Sequence, residues 1–207
     1  MIRSRSAQAW HQFILGLFIG ATLMFLVQDI GVVNSAETTA RPAPTGVPKT
    51  LLIPRIALFA NVQQIGVDAS GAMDVPDTWS DVGWYKLGPQ PGQAGSAVMV
   101  GHLDTDVSKD GVFWHLHEVS AGDVIEILDT ANHMQRFKVV GKRWYSFTNA
   151  PIDTIFGSAH GTAAAMSANG ATQQPKLNLI TCAGAWNSAL HTYDQRLVVY
   201  TEREAQQ

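Results

Sequence analysis

Short β-type segments separated by turn residues dominate the chain from residue 51 onward. They contain Val, Ile, Phe and Tyr and average about five residues, as strands do. The candidate strands span residues 51–53, 58–59 with 62–67, 72–75, 96–102, 124–128, 135–145, 176–181 and 197–201. Gly, Pro, Asp and Asn cluster between them, as in the hairpin-type turn at 66–71 and the loop at 88–92. With helical patterns confined to 111–119 and 153–156, the sequence predicts an all-β, closed or nearly closed barrel with one or two short helices.

Residues 1–35 form a separate region with the features of a signal anchor. Arg3 and Arg5 precede an uncharged apolar run at 13–27, which continues more weakly to residue 33. A bilayer span needs roughly 20 apolar residues, which the segment 13–33 supplies. The positive N-terminal flank favours a cytoplasmic N-terminus and an exported remainder. We therefore expect a single-pass transmembrane helix at 13–33; a signal peptide cleaved near Ala36 is the alternative.

Two further segments differ in composition from the candidate strands. Residues 36–50 are rich in Pro, Thr and Ala and are predicted to form an extended linker between the membrane and the domain at 51–207. Residues 157–174 are rich in small residues and directly precede a candidate strand. A connection of that length is usually functional or disordered, so a mobile loop is expected there.

Charge and cysteine content exclude several classes of function. The net charge is −3 and no basic stretch alternates with aromatic residues, so nucleic-acid binding is not supported. The single cysteine excludes an intramolecular disulfide framework and a multi-cysteine zinc site. His115, His117 and the acidic residues after His102 lack an evident third ligand, and we expect neither a metal nor a cofactor.

Three residues predicted at strand termini combine the chemistry of a cysteine nucleophile. Cys182 ends one candidate strand, His102 ends another, and Arg196 opens a third. A thiol attacks as its thiolate, a histidine exchanges protons near neutral pH, and an arginine stabilises an oxyanion. Asp104 is a candidate for a supporting role beside His102. A lone cysteine in an apolar strand is more often an inert small hydrophobe, so an anchored β-barrel binding module is the non-enzymatic alternative.

The chain from about residue 51 to residue 201 resembles the sortase family of membrane-anchored cysteine transpeptidases. The resemblance rests on VGHLDT at 100–105, LITC at 179–182, and Arg196 just before the last strand, in the family's order. Supporting matches are LIP at 52–54, VGWY at 82–85 and PGQAG at 91–95. The short histidine segment and the Gly-Trp-Tyr segment look most similar to the class D to F groups. Other cell-wall cysteine enzymes fit this order less well, because L,D-transpeptidases carry His-Gly before the cysteine and papain-like peptidases place the cysteine at a helix start, ahead of the histidine.

The resemblance implies an eight-stranded sortase-type barrel on the extracellular side of the cell membrane. It implies that Cys182 forms a thioacyl intermediate after cleavage of a C-terminal Leu-Pro-x-Thr-Gly-like sorting motif. His102 would be the acid/base, Arg196 would hold the substrate carbonyl or oxyanion, and Thr181 would belong to the Thr-Cys signature. The partners implied are surface proteins that carry the motif and an amine acceptor, either a peptidoglycan stem peptide or a pilin lysine.

Overall fold

The computed structural model describes residues 46–69, 71–105, 110–157 and 174–204. These residues all belong to the second of two units into which the chain divides, 42–207. The predicted anchor at 13–33, most of the predicted linker, and residues 158–173 of the loop predicted at 157–174 lie outside the described residues. Within the described ranges, no helix is long and apolar enough to cross a membrane.

Eight strands close into a barrel in the order β1-β2-β3-β4-β7-β8-β6-β5. The eight-stranded all-β prediction is therefore confirmed. A short helix, α1, spans Ile152–Phe156, and 3-10 turns occupy Pro54–Ile56 and Leu116–Glu118. The strands are β1 (Pro48–Ile53), β2 (Leu58–Ile65), β3 (Val82–Tyr85), β4 (Ser96–Gly101), β5 (Val124–Asp129), β6 (Met134–Ser146), β7 (Lys176–Asn187) and β8 (Thr192–Arg203).

The structure corrects several strand boundaries. Segment 72–75 is not a strand, because only Met73 pairs, through an isolated bridge to Val67. The four-residue β3 was not predicted as a strand, since Gly83 lowers its β propensity. β1 begins at Pro48, inside the interval assigned to the linker.

Side-chain alternation divides the apolar residues between two cores. One set, including Met99, Leu179 and Val199, belongs to the larger buried cluster. Their neighbours Val98, Val100, Ile180 and Val198 belong to a second cluster, together with Ile155 of α1. Successive side chains of a strand point to opposite faces, so the second cluster lies on the other face of β4, β7 and β8. All six residues of β4 are buried, which explains its uninterrupted apolar sequence.

The turn between β5 and β6 depends on Asp129, whose carboxylate is 1% exposed. Burial acts to raise the pKa of Asp129, but the backbone N–H groups of His133 and Ala131 and the His133 side chain together hold that pKa below its ordinary value. Both backbone bonds measure 2.8 Å, to Oδ1 of the carboxylate.

Asp129→Asn should lower the free energy of unfolding near pH 6 by about 1–2 kcal/mol, because the charged acceptor is lost. A depressed native pKa contributes stability that is present above the unfolded pKa, about 3.9, and is lost as the pH falls through the native value. The difference between wild type and variant in urea unfolding should therefore shrink as the pH is lowered from 6 to 3. A difference that stays constant with pH would show that the ionised carboxylate does not stabilise the turn.

Candidate active site

Cys182 lies on the face of β7 that carries the second core. Leu177, Leu179 and Ala183 contribute to the larger cluster, whereas Ile180 belongs to the second. By alternation Cys182 shares the face of Ile180. Cys182 as a residue is partly exposed and forms no disulfide. It thus occupies an accessible position above a packed apolar patch.

Arg196 is the direct cross-strand neighbour of Cys182. The antiparallel β7–β8 register pairs the Cα atoms of these two residues. Alternation also places Arg196 on the face of Val198, the same face as the thiol. Directly opposite residues on one face interact, so the guanidinium and the sulfur are held on neighbouring strands.

The predicted strand termini are wrong for both of these residues. β7 continues five residues past Cys182 to Asn187, and β8 begins four residues before Arg196, at Thr192. The extension has little apolar patterning, and its register shifts between Ala183 and Trp186. Gly184, at φ +83°, makes this irregularity possible, since a Cβ there would lie 2.0 Å from a carboxylate oxygen of Asp194.

His102 follows directly after β4, which is parallel to β7. The register pairs Val100 with Ile180, and the same offset carried forward places His102 level with Cys182. A buried hydrogen bond of 2.8 Å from the Thr181 hydroxyl to the Gly101 carbonyl joins the two strands one residue earlier. Thr181 therefore ties the strand that carries the thiol to the strand that leads into the histidine.

The imidazole of His102 is held by two neighbouring groups. Its Nε2 lies 2.9 Å from the Pro76 carbonyl oxygen, and its ring packs edge-on against Trp79 with 4.4 Å between centroids. The backbone of His102 is held as well, because its carbonyl accepts a hydrogen bond of 2.9 Å from the backbone N–H of Phe113. The Pro76 carbonyl oxygen can only accept a hydrogen bond, so Nε2 of His102 carries the proton. In the neutral ring, Nδ1 is then the atom free to accept a proton.

The guanidinium of Arg196 is fixed by the beginning of its own strand. Nη1 donates to the carbonyls of Tyr193 and Gln195 at 2.9 and 2.8 Å, and Nη2 donates to the Thr192 hydroxyl at 2.9 Å. The Phe147 ring lies 5.8 Å from the guanidinium carbon. These bonds require at most three of the five N–H groups, so donors remain for a substrate oxygen.

Asp104 reaches the hairpin between β7 and β8. Its carboxylate accepts a hydrogen bond from the Tyr193 hydroxyl. This bond and burial raise the pKa of Tyr193 to about 12. Because the Tyr193 carbonyl also binds Arg196, one tyrosine connects the segment after His102 with the arginine.

Burial raises the pKa of the Cys182 thiol, and two charges act on it in opposite directions. The Arg196 guanidinium lowers the pKa, whereas the Asp104 carboxylate raises it. The net increase means that the resting thiol is mainly protonated at neutral pH. Activation therefore needs proton transfer to another group, and His102 is the candidate that the strand register brings level with Cys182.

The rate of Cys182 alkylation by iodoacetamide should still rise with pH where the rate for an ordinary cysteine has become constant, because the pKa of Cys182 is raised. Asp104→Asn should shift this profile to lower pH, since it removes the charge that disfavours the thiolate. Arg196→Gln should shift it to higher pH. Initial rates measured between pH 6 and 10 test both directions, and Glu202→Gln, an exposed change on β8, is the control. Shifts of the opposite sign would show that these two charges do not control the thiol.

Tyr193, Trp79 and Pro76 were not predicted as parts of this site. The ring of Tyr193 packs against Trp186 with 5.4 Å between centroids. Its spacing of three residues from Arg196 is the only sequence signal for its carbonyl contact. Among the described residues, no group of three His, Cys, Asp or Glu side chains is placed to hold a metal ion.

Comparison with known proteins identifies both the domain and the fold. A family model described as the sortase domain matches residues 51–204. Sortase C-1 from Actinomyces oris has a similar structure, with 17% identity, a TM-score of 0.54, and coverage of 76% of this chain and 73% of that chain. A lid mutant of sortase A from Corynebacterium diphtheriae matches with 18% identity, a TM-score of 0.54, and coverage of 82% and 75% respectively. None of the curated proteins matches this chain.

Proposed function

The chain belongs to the sortase family of cysteine transpeptidases, and from this membership we propose that it cleaves a C-terminal Leu-Pro-x-Thr-Gly-like sorting motif and transfers the acyl part to an amine. The observation that carries the residue assignment is the register that pairs Cys182 with Arg196 and sets His102 level with the thiol. Membership in this enzyme family argues against the three alternatives, which were an L,D-transpeptidase, a papain-like peptidase and a non-catalytic binding module. The expectation of class D to F stays a prediction.

In acylation, Cys182 is the nucleophile and His102 moves the proton. The thiol transfers its proton to Nδ1 of His102, and the sulfur attacks the carbonyl carbon of the motif's threonine. The resulting oxyanion accepts hydrogen bonds from those N–H groups of Arg196 that are not used within β8. Collapse breaks the C–N bond, and the imidazolium protonates the departing amine.

In transfer, an incoming amine reverses these steps. The amine attacks the thioacyl carbon, a C–N bond forms, and the C–S bond breaks. His102 accepts the amine proton and returns one to the thiolate, so the enzyme is regenerated. The donors are surface proteins that end in the sorting motif, and the acceptor is a peptidoglycan stem peptide or a pilin lysine.

This chemistry fits an enzyme that works outside the cell. Residues 13–33 would anchor the chain in the cell membrane as a single span, and 36–50 would connect this anchor to the catalytic domain at 51–207. The positive flank of that segment supports an extracellular position for the domain.

The test is a screen of the domain 46–207 against peptides that vary the sorting motif, with several amine acceptors. Mass spectrometry of the products should reveal a peptide cleaved after threonine and joined to the amine. Cleavage at another residue, or no acyl transfer to any acceptor with any Leu-Pro-x-Thr-Gly-like peptide, would contradict the proposal.

A further inference from the structure

A surface groove lies beside the catalytic histidine and has no part in the steps above. Its volume is about 330 Å³. Phe59 and Trp79 are unusually exposed for aromatic residues, at 73% and 42%. The groove is lined mainly by apolar side chains, and its titratable side chains are the carboxylate of Asp110 and the imidazole of His115. The apolar side chains that matter most here are those of Ile56, Phe59, Trp79 and Val112.

Trp79 belongs both to this groove and to the surroundings of His102. Its ring packs against the imidazole at 4.4 Å and also lines the groove. Phe59, on β2, lines the same groove as Trp79. The groove is therefore continuous with the site on the histidine side.

The strand order fixes which part of the reaction faces the groove. Neighbouring strands of the barrel follow in the order β2, β3, β4, β7 and β8. Across these strands the groove comes first, and His102, Cys182 and Arg196 follow in that order. Arg196 holds the acyl oxygen at one end of this row. The amine must approach at the other end, because His102 takes its proton.

We propose that this groove binds the acyl acceptor, and that the acceptor is a primary amine on an aliphatic stem, as in a lysine-type side chain. The proposal rests on the transpeptidase function proposed above and deepens it. Methylene groups bury well against Phe59 and Trp79, whereas a glycine backbone offers them little apolar surface. The negative Asp110 on this side and the positive Arg196 at the far end favour entry of an ammonium ion through the groove.

The acceptor gives up two protons in the transfer step. The ammonium loses one proton to solvent on entry, and the neutral amine forms the C–N bond while the C–S bond to Cys182 breaks. The second proton passes from nitrogen to His102 and then to the thiolate.

Phe59→Ala tests the inference, and its control is Val140→Ala, an exposed apolar residue on β6 outside the groove. The donor is a sorting peptide that ends one residue after the cleavage site, so its leaving group is a single residue. The acceptors are Nα-acetyl-lysine amide and triglycinamide. We measure aminolysis relative to hydrolysis of the same thioacyl enzyme.

Wild type should prefer the lysine probe, and Phe59→Ala should lower aminolysis by that probe about fivefold, as expected for a partly buried aromatic contact. Acylation, hydrolysis and aminolysis by triglycinamide should not change. Equal use of the two probes, or a lysine reaction that Phe59→Ala leaves intact, would overturn the inference while the transpeptidase function stands. Failure of acylation would instead contradict the function itself.

A second measurement does not depend on the donor. In Cys182→Ala, titration with Nα-acetyl-lysine amide should shift the NMR signal of the Trp79 indole N–H, and Asp110→Asn should weaken this binding most at low salt. Glu202→Gln is the control for charge, since this exposed carboxylate lies on β8. Shifts confined to residues outside the groove, or none at millimolar probe, would overturn the inference.

Discussion

Cys182→Ala should abolish acyl transfer and leave the barrel folded. Without the sulfur no thioacyl intermediate forms, and loss of a nucleophile typically lowers turnover by about 10⁴-fold or more. Cys182 is only partly buried and lies outside the large apolar clusters, so the free energy of unfolding should change by no more than about 1 kcal/mol. Product formation from a sorting peptide and urea unfolding measure the two effects.

Ala183→Gly provides a matched control, because it removes a methyl group, similar in size to the thiol that Cys182→Ala removes, from the adjacent, opposite-facing position on β7. It should cost stability and retain catalysis. Turnover by Cys182→Ala comparable to that of wild type would remove the thiol from the mechanism. Loss of the folded state in Cys182→Ala would show instead that the sulfur is structural.

Arg196→Lys should lower kcat/KM by about 10²–10³-fold, as removal of an oxyanion donor does. Arg196 uses two nitrogens to bind the start of β8 and still has N–H groups for the substrate. A lysine ammonium keeps the charge but does not reproduce this planar fork. Steady-state kinetics with the sorting peptide measure the loss.

The control is Arg143→Lys, which changes an exposed arginine on β6 in the same way. It should leave kcat/KM unchanged. If Arg196→Lys retained nearly wild-type kcat/KM, a general positive charge would suffice and the fork would have no role. If Arg196→Lys lowered the melting temperature enough to account for the loss of activity, Arg196 would mainly stabilise the hairpin.

The sequence predicted the barrel well because its central strands carry unambiguous patterns. β4 is buried along its full length and β7 carries an apolar run before Cys182, so both were recognised. Strand β3 was missed because four residues that include a glycine give too weak a pattern. The β7–β8 extension was missed because its pairing depends on a bulge at Gly184, which local propensity does not reveal.

The site was only partly predictable for a different reason. Cys182, His102 and Arg196 stand out by residue type and order, and the strand register then brings them together. The contact between Asp104 and Tyr193 joins residues 89 positions apart, so no local pattern indicates it. The pairing of Trp79 with His102 likewise depends on how two loops pack beside the barrel.

If Cys182 carries the acyl group during turnover, the mass of the enzyme itself should show it. The domain should be mixed with a Leu-Pro-x-Thr-Gly-like peptide without an amine acceptor, quenched in acid and digested. We expect the acyl mass on the peptide that contains Cys182, and we expect hydroxylamine to release it, as it releases a thioester. An acyl group on any other residue, or product formation in which Cys182 is never modified, would contradict this role of Cys182.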